Sequence, residues 1–452
     1  MDVKKEMDMT HGPLLGKLLL FALPLMASNV LQLLFNAADV VVIGRFSGPT
    51  SLAAVGSTTS IINLLVNLLI GLSVGINVIA AYCYGAASQR ERVKRTMHTA
   101  ILVALIGGIL FGAVGILSAP LMLRMTAVPA NIFPLAVTYL RIYFIGMPFA
   151  MIYNYGAALL RARGDTRRPL LYLTISGVIN VGLNLIFVIV WKLDVAGVAL
   201  ATIISQLLSA ILILHFFRAS QDELHLVWRE MRIDTGLLRS IAKIGIPAGI
   251  QSALFNISNV VMQGSINVYG DTIIAGSAAS SSIEGFVYAA MNSFHHTAQT
   301  FVGQNVAVQK PERVRRVVKL CLICVTVLGV SASALAVIFA KPLVSLYNTD
   351  PNVVAAAVQR LRFIVAPYFV FGITDVLMGS IRGHGISLPP VIINLICTCA
   401  FRIVWLSLLP VPMVGVRYVY ATWPLSWLLL LTVLLGYWLY LRRKGYIGVA
   451  RI

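Results

Sequence analysis

Residues 18–43 read LLLFALPLMASNVLQLLFNAADVVVI, an apolar run in which Asp39 is the only charged residue. A membrane-spanning helix needs about 20 mostly apolar residues, so this run is long enough to cross a bilayer. Eleven further runs of similar character follow, at residues 52–82, 96–118, 133–160, 169–191, 195–217, 238–268, 272–304, 317–340, 352–381, 388–409 and 415–441. The sequence therefore predicts an all-α integral membrane protein with twelve transmembrane helices.

The composition of the 452-residue chain supports this interpretation. It is 59% hydrophobic and 11% charged, whereas a soluble domain carries roughly 25% charged residues. The net charge of +19 comes from 35 Lys and Arg against 16 Asp and Glu. These basic residues lie mainly in short loops, so we expect them to set topology and contact anionic membrane lipids, with no nucleic-acid partner.

The basic residues cluster in alternate loops, which orients the chain in the membrane. Examples are residues 90–95, 161–168, 310–319 and 442–444. Loops rich in Lys and Arg stay on the cytoplasmic side. We therefore expect a multi-pass protein of the plasma (inner) membrane with both termini cytoplasmic.

The two halves of the chain repeat each other. ERVKR at 91–95 recurs as ERVRR at 312–316, and Leu140-Arg141 recurs at the same offset as Leu361-Arg362. Each repeat holds six helices and so returns to its starting side, which predicts two lobes related by a pseudo-two-fold axis along the membrane normal. The predicted boundaries are an N-terminal lobe at 1–217, a cytoplasmic linker at 218–240 and a C-terminal lobe at 241–452, with a substrate path between the lobes.

Of the 16 acidic residues, only Asp39, Glu284 and Asp375 lie inside apolar runs. An acid at mid-membrane costs at least about 2.5–3.5 kcal/mol on insertion scales, which makes each a candidate functional residue. The alternative for each is a packed or salt-bridged structural acid.

Asp39 is the centre of a predicted ion site. Asn36 shares its helix face, and Asn184 and Thr202 lie at the same depth, roughly 9–12 Å below the outer helix ends at about 1.5 Å per residue. Asn180 is one turn from Asn184 on the same face. A buried carboxylate binds a proton near neutral pH, and oxygen ligands also suit Na⁺. We favour H⁺ over Na⁺ because Asp39 is the only carboxylate in the group.

In the second half, Glu284 heads a helix face that carries Tyr288, Met291 and Asn292. An acid among aromatic and thioether groups suits an organic cation. The alternative is a polar helix–helix seam. Asp375 completes the predicted substrate set, unless Arg402, which needs an acidic partner, holds Asp375 or Glu284 in a structural pair.

Other function classes lack their motifs. The chain has no GxxxxGK[ST] sequence, which argues against ATP hydrolysis, and no nucleophile–base or metal-ligand set, which argues against an enzyme. We expect no cofactor and no bound metal other than the coupling ion, H⁺ or Na⁺. Ion-driven antiport of small organic cations by a monomer is the simplest prediction.

Several segments resemble the multidrug and toxic compound extrusion (MATE) family, in its bacterial form. They are ALPLMASNVLQLLFNAADVVVIGRFSG at 22–48, LLRARGDTRRP at 159–169, NVGLNLIFV at 180–188, GVALAT at 197–202 and IEGFVYAAMNSFHHTAQTFVGQN at 283–305. The resemblance covers essentially the whole chain. It implies two six-helix lobes around a cleft and export of cationic, amphipathic drugs or toxins in exchange for H⁺ or Na⁺.

The resemblance also implies roles for single residues. The family's first-helix Asp matches Asp39, its fifth-helix Asn matches Asn180 and its sixth-helix Thr matches Thr202. Its second carboxylate is replaced by Asn184 and an acid of some Na⁺-coupled members by Asn256, which places the coupling on Asp39. Distant relatives flip lipid-linked precursors, so a flippase is the alternative function.

Overall fold

The computed structural model describes residues 7–86, 89–126, 128–409 and 413–449, which are helical and contain no strand. Lys4 and Lys5 also belong to the basic residues on the side predicted to be cytoplasmic, and they lie outside the described residues. The helices are α1 Leu14–Phe46, α2 Pro49–Gly85, α3 Arg90–Met125, α4 Phe133–Ile145, α5 Met147–Arg163, α6 Arg167–Leu185, α7 Asp194–Ala219, α8 Thr235–Asn267, α9 Asp271–Ala307, α10 Pro311–Ile338, α11 Ala340–Ser345, α12 Pro351–Val365, α13 Tyr368–Gly383, α14 Leu388–Asn394, α15 Phe401–Leu408 and α16 Val416–Arg443.

The helices follow from the apolar runs, because a chain in lipid must satisfy its backbone polar groups internally. Among the described residues, nine helical segments are long and apolar enough to span a membrane, and two bent helix pairs bring the number to eleven. The twelfth predicted span is α9, which has 37 residues but carries many polar side chains, most of them buried. The predicted all-helical membrane fold is confirmed.

Two of the predicted continuous runs are broken in the structure. The pair α4 and α5 bends by 47° at Gly146, and the pair α12 and α13 bends by 44° beside Pro367. Proline ends or kinks a helix because its ring clashes with the preceding turn and it has no N–H. Pro148 and Pro367 were therefore the signals for these bends.

Two π-helical segments interrupt the pattern of α-helical hydrogen bonds. Ile186–Val190 continues α6, and Leu395–Ala400 joins α14 to α15. Segments of this type occur frequently at functional sites, because they displace side chains from the regular helical register. The first begins two residues after Asn184, and the second ends two residues before Arg402.

The described chain packs as two units. Val30–Gly249 forms the first, called here the N-terminal unit, and Asp8–Asn29 joins the residues from Ile250 onward in the C-terminal unit. The lobe boundaries predicted from the sequence repeat stay a prediction.

The segment between α7 and α8 falls within the predicted linker. It contains a short 3₁₀ helix, Trp228–Glu230, and contacts α3, where Lys94 Nζ lies 2.6 Å from a Glu230 carboxylate oxygen. The hydrogen bond and charge of Lys94 hold the pKa of Glu230 below its usual range. The predicted linker therefore packs against the N-terminal unit through this ion pair.

Within the N-terminal unit, α2 and α8 approach each other through two GxxxG sequences, Gly71–Gly75 and Gly245–Gly249. A Cβ on Gly71 would meet the backbone N and Cα of Gly249 and would lie 2.8 Å from Gly245 O. Small residues allow this backbone approach, and packing is the main force between helices in lipid.

We expect Gly71→Ala to destabilise the protein by about 1–3 kcal/mol, because the neighbouring backbone cannot yield as a side chain would. The measurement is the thermal unfolding of purified protein in detergent. Gly56→Ala, in the same helix but with no atom within 4 Å of its Cβ, is the matched control. Equal unfolding temperatures for the two variants would contradict the proposed close contact.

Candidate functional site

Three of the five predicted ion-site residues meet in the N-terminal unit. Asn184 Nδ2 donates to Asp39 Oδ1 at 2.5 Å and lies 3.3 Å from Asn180 Oδ1. Asn184 is fully buried, Asn180 is 5% exposed, and Asp39 is partly buried. The i, i+4 spacing on α6 places both amides on one face, opposite the carboxylate of α1.

The site has an unused acceptor. Among the described residues, the side-chain oxygen of Asn184 is buried without a hydrogen-bond partner. A buried polar atom without a partner costs about 1–3 kcal/mol, so such atoms usually mark a site that a ligand or water completes. Together with Asp39, this oxygen provides acceptors of the kind that hard cations take as ligands, and the carboxylate is also a group that can bind a proton.

The other two predicted residues are placed differently. Thr202 Oγ1 donates to Val198 O of its own helix at 2.9 Å, and the side chain of Asn36 is exposed. Tyr139 and Tyr143 of α4, which sequence reasoning missed, lie close enough to Asp39 to be within range of its charge. Aromatic residues in an apolar run resemble ordinary core, so no sequence signal pointed to them.

In the C-terminal unit, Glu284 forms a bidentate pair with Arg360. Arg360 Nε and Nη2 donate to the two carboxylate oxygens at 3.1 and 3.3 Å, and Ser280 Oγ donates to Oε1 at 2.8 Å. Arg360 is 4% exposed and Glu284 is 9% exposed. The expectation that Arg402 would hold one of the internal acids is wrong for Glu284, because Arg360 of α12 is its partner instead.

Asp375 joins α13 to the predicted face of α9. Asn292 Nδ2 donates to Asp375 Oδ2 at 2.9 Å and to the Tyr288 hydroxyl at 3.1 Å. His295 Nδ1 lies 3.0 Å from Asp375 Oδ1. Met291, also predicted to contact substrate, is 1% exposed. Tyr288, Asn292 and Asp375 therefore form one polar network, with Met291 packed in the core.

Arg402 has no acid within 4 Å among the described residues, so the expected pairing with Asp375 or Glu284 is wrong. Its Nε donates to Ser426 Oγ at 3.2 Å, and its Nη1 donates to Asn259 Oδ1 at 3.5 Å. Its guanidinium carbon lies 5.5 Å from the Phe255 ring centroid and 5.6 Å from that of Trp423. Amide, hydroxyl and aromatic groups replace the acid that sequence reasoning assumed.

Comparison with known proteins identifies relatives along most of the chain. The MatE family matches residues 24–186 and 247–406. A probable multidrug resistance protein, YpnP of Bacillus subtilis, is 29% identical over 402 residues, which cover 88% of this chain and 89% of the relative. The probable multidrug resistance protein NorM of Thermotoga maritima is 25% identical over 406 residues, covering 89% and 86%.

Solved structures agree on the fold. One is described as the outward-facing conformation of a multidrug resistance MATE family transporter. It superimposes with a TM-score of 0.90 at 18% identity, and the match covers 98% of this chain and 99% of that one.

Proposed function

The chain belongs to the MatE family of membrane transporters, and from this premise we propose that it is a secondary active antiporter. It expels cationic, amphipathic drugs or toxins in exchange for H⁺, with Na⁺ as the alternative ion. The proposed location is the plasma (inner) membrane, with both termini in the cytoplasm. A monomer suffices for this exchange.

The contact between Asp39 and Asn184 is the observation that supports this proposal most. In its ionised form, Asp39 accepts the Asn184 amide hydrogen bond. Proton binding removes the negative charge that strengthens this bond, so the two protonation states favour different contacts between α1 and α6. A ligand shifts a conformational equilibrium only through such a difference. Asn180, Thr202 and Asn36 shape the surroundings in this proposal.

The hinge in this scheme is Pro24. It lies inside α1, where proline removes one helical hydrogen bond and permits bending. Protonation of Asp39 would bend or shift α1 and release cargo to the outside.

The proposed cargo contacts are in the C-terminal unit. The contacts of Asp375 on α9 are an amide and an imidazole. The negative charge of Asp375 is therefore available to attract the cationic group of the cargo, and Tyr288 and Asn292 orient that group. Glu284, whose charge is neutralised by Arg360, and Met291 act by shaping this face.

Purified protein in liposomes tests the coupling ion. We expect an imposed pH gradient to drive ethidium transport, and a Na⁺ gradient at equal pH on both sides to drive none. One H⁺ exchanged per ethidium supports about a tenfold concentration ratio per pH unit, since one pH unit corresponds to 1.36 kcal/mol. Transport driven by Na⁺ alone would contradict proton coupling, and transport driven by neither would contradict ion-coupled export.

A further inference from the structure

The membrane interior of the C-terminal unit holds an uncompensated positive charge. Arg402 is 1% exposed, and it has no ion-pair partner among the described residues. Buried charges are normally paired, because desolvating an isolated ion costs several kcal/mol. Its cation–π contacts with Phe255 and Trp423 offset part of this cost, but they supply no negative charge.

A second guanidinium group lies against the same indole ring. The guanidinium carbon of Arg360 is 5.3 Å from the Trp423 centroid, and that of Arg402 is 5.6 Å from it. Two buried cations therefore share one aromatic side chain, while Glu284 is the only carboxylate paired with either of them in the described part of the chain.

Each of these two arginines has one unused donor group. Arg360 engages Glu284 through Nε and Nη2, which leaves Nη1 buried without a partner. Arg402 uses Nε and Nη1, which leaves Nη2 buried without a partner. Guanidinium groups match carboxylate and phosphate oxygens in geometry and charge. Unused N–H groups on an arginine that has no acidic partner in the described chain therefore indicate an anionic ligand.

The surroundings favour a flat ligand. Trp423 packs on a cluster in which Tyr368 stacks on Trp427 with ring centroids 5.0 Å apart and on Phe371 at 5.9 Å. Trp423 is only partly buried, so the side chain that both guanidinium groups contact is less enclosed than the two arginines themselves, which are 4% and 1% exposed. Offset stacking on such rings favours aromatic molecules.

We infer that Arg402, with Arg360 and the Trp423 ring, binds a carboxylate or phosphate-like group on an aromatic cargo molecule. The inference rests on the proposed export function in that the ligand is its cargo. It adds that the favoured cargo is zwitterionic, with an anionic group in addition to the cationic one, since a purely cationic molecule such as ethidium can be exported but leaves Arg402 uncompensated.

Two xanthene dyes that differ in one group test this inference. Rhodamine 110 has a free carboxylate, and rhodamine 123 is its methyl ester. Their affinities for the purified full-length protein in neutral detergent are measured by fluorescence polarisation. We expect the wild type to bind rhodamine 110 at least about tenfold more tightly, which is the size of a charge-assisted hydrogen bond. Equal affinities, or tighter binding of the ester, would overturn the inference without any variant.

Substitutions at Arg402 test whether this residue causes the preference for rhodamine 110. Arg402→Gln should weaken rhodamine 110 binding by about 10- to 100-fold and change rhodamine 123 binding less than about twofold. Arg402→Lys keeps the positive charge but lacks the planar guanidinium group. Its affinity for rhodamine 110 should lie between those of the wild type and of Arg402→Gln. Equal losses for both dyes would overturn the assignment, because general structural damage affects both.

The phosphate of an anionic lipid is the other source of this chemistry. If it were the occupant, phosphatidylglycerol added to the detergent would displace rhodamine 110, and that result would overturn the assignment to cargo. The binding assay needs no ion gradient. Failure of proton coupling at Asp39 would therefore leave the dye preference intact, and the two proposals can fail separately.

Discussion

Replacing Asp39 by Asn will abolish the accumulation of ethidium against its concentration gradient. The variant will still bind ethidium and release it down that gradient. Asn has nearly the same shape as Asp but cannot exchange a proton, and it can still accept the hydrogen bond from Asn184. The variant therefore loses the whole contribution of the pH gradient, about a factor of ten in concentration ratio per pH unit for one exchanged proton. Proteoliposomes with an imposed pH gradient measure this ratio directly.

Glu91→Gln is the matched control for the loss of one acid. Glu91 is in the same unit, its side chain is 72% exposed, and its closest basic contact, with Arg95, is at 3.8 Å. This variant should concentrate ethidium as well as the wild type does. If Asp39→Asn concentrates ethidium equally well, Asp39 has no coupling role.

Replacing Arg360 by Met will destabilise the protein by about 3–5 kcal/mol, the usual cost of leaving a buried charge without its partner. The variant leaves Glu284 with Ser280 as its remaining hydrogen-bond donor in the described chain. Thermal or denaturant unfolding in detergent, with the loss of helical signal as the readout, measures the change.

Two further variants distinguish the effect of breaking the buried Arg360–Glu284 pair from the general effect of replacing a charged residue by Met. Replacing Arg360 and Glu284 together by Met should recover most of the lost stability, because neither member of the pair is then left as a buried charge without its partner. Arg315→Met breaks the exposed pair between Arg315 and Glu312, whose side chains are 44% and 83% exposed, and should cost less than about 1 kcal/mol. A single Arg360→Met variant as stable as Arg315→Met would contradict a tightly coupled buried pair.

The fold could be predicted from the sequence because hydrophobic length and backbone hydrogen bonding leave few alternatives in a membrane. The proximity of Asp39 to Asn180 and Asn184 could be predicted as well, because helix spacing and depth constrain residues on α1 and α6. Both predictions depend on lengths and spacings along single helices, which can be counted in the sequence.

Partners across helices were harder to predict. Arg402 and Arg360 both lie in apolar runs, and only tertiary packing decides which of them reaches Glu284. The same limitation applies to Tyr139 and Tyr143 near Asp39. The bends at Gly146 and Pro367 had a sequence signal in the prolines, which a search for continuous apolar runs overlooks.

Infrared difference spectroscopy of the purified protein tests the central claim, that Asp39 binds and releases the coupling proton. Spectra of the wild type and of Asp39→Asn are compared while pH is varied without Na⁺. We predict a protonated-carboxyl band in the wild type that changes with pH and is missing from the variant. Identical pH-dependent spectra for the two proteins would show that Asp39 does not carry the proton.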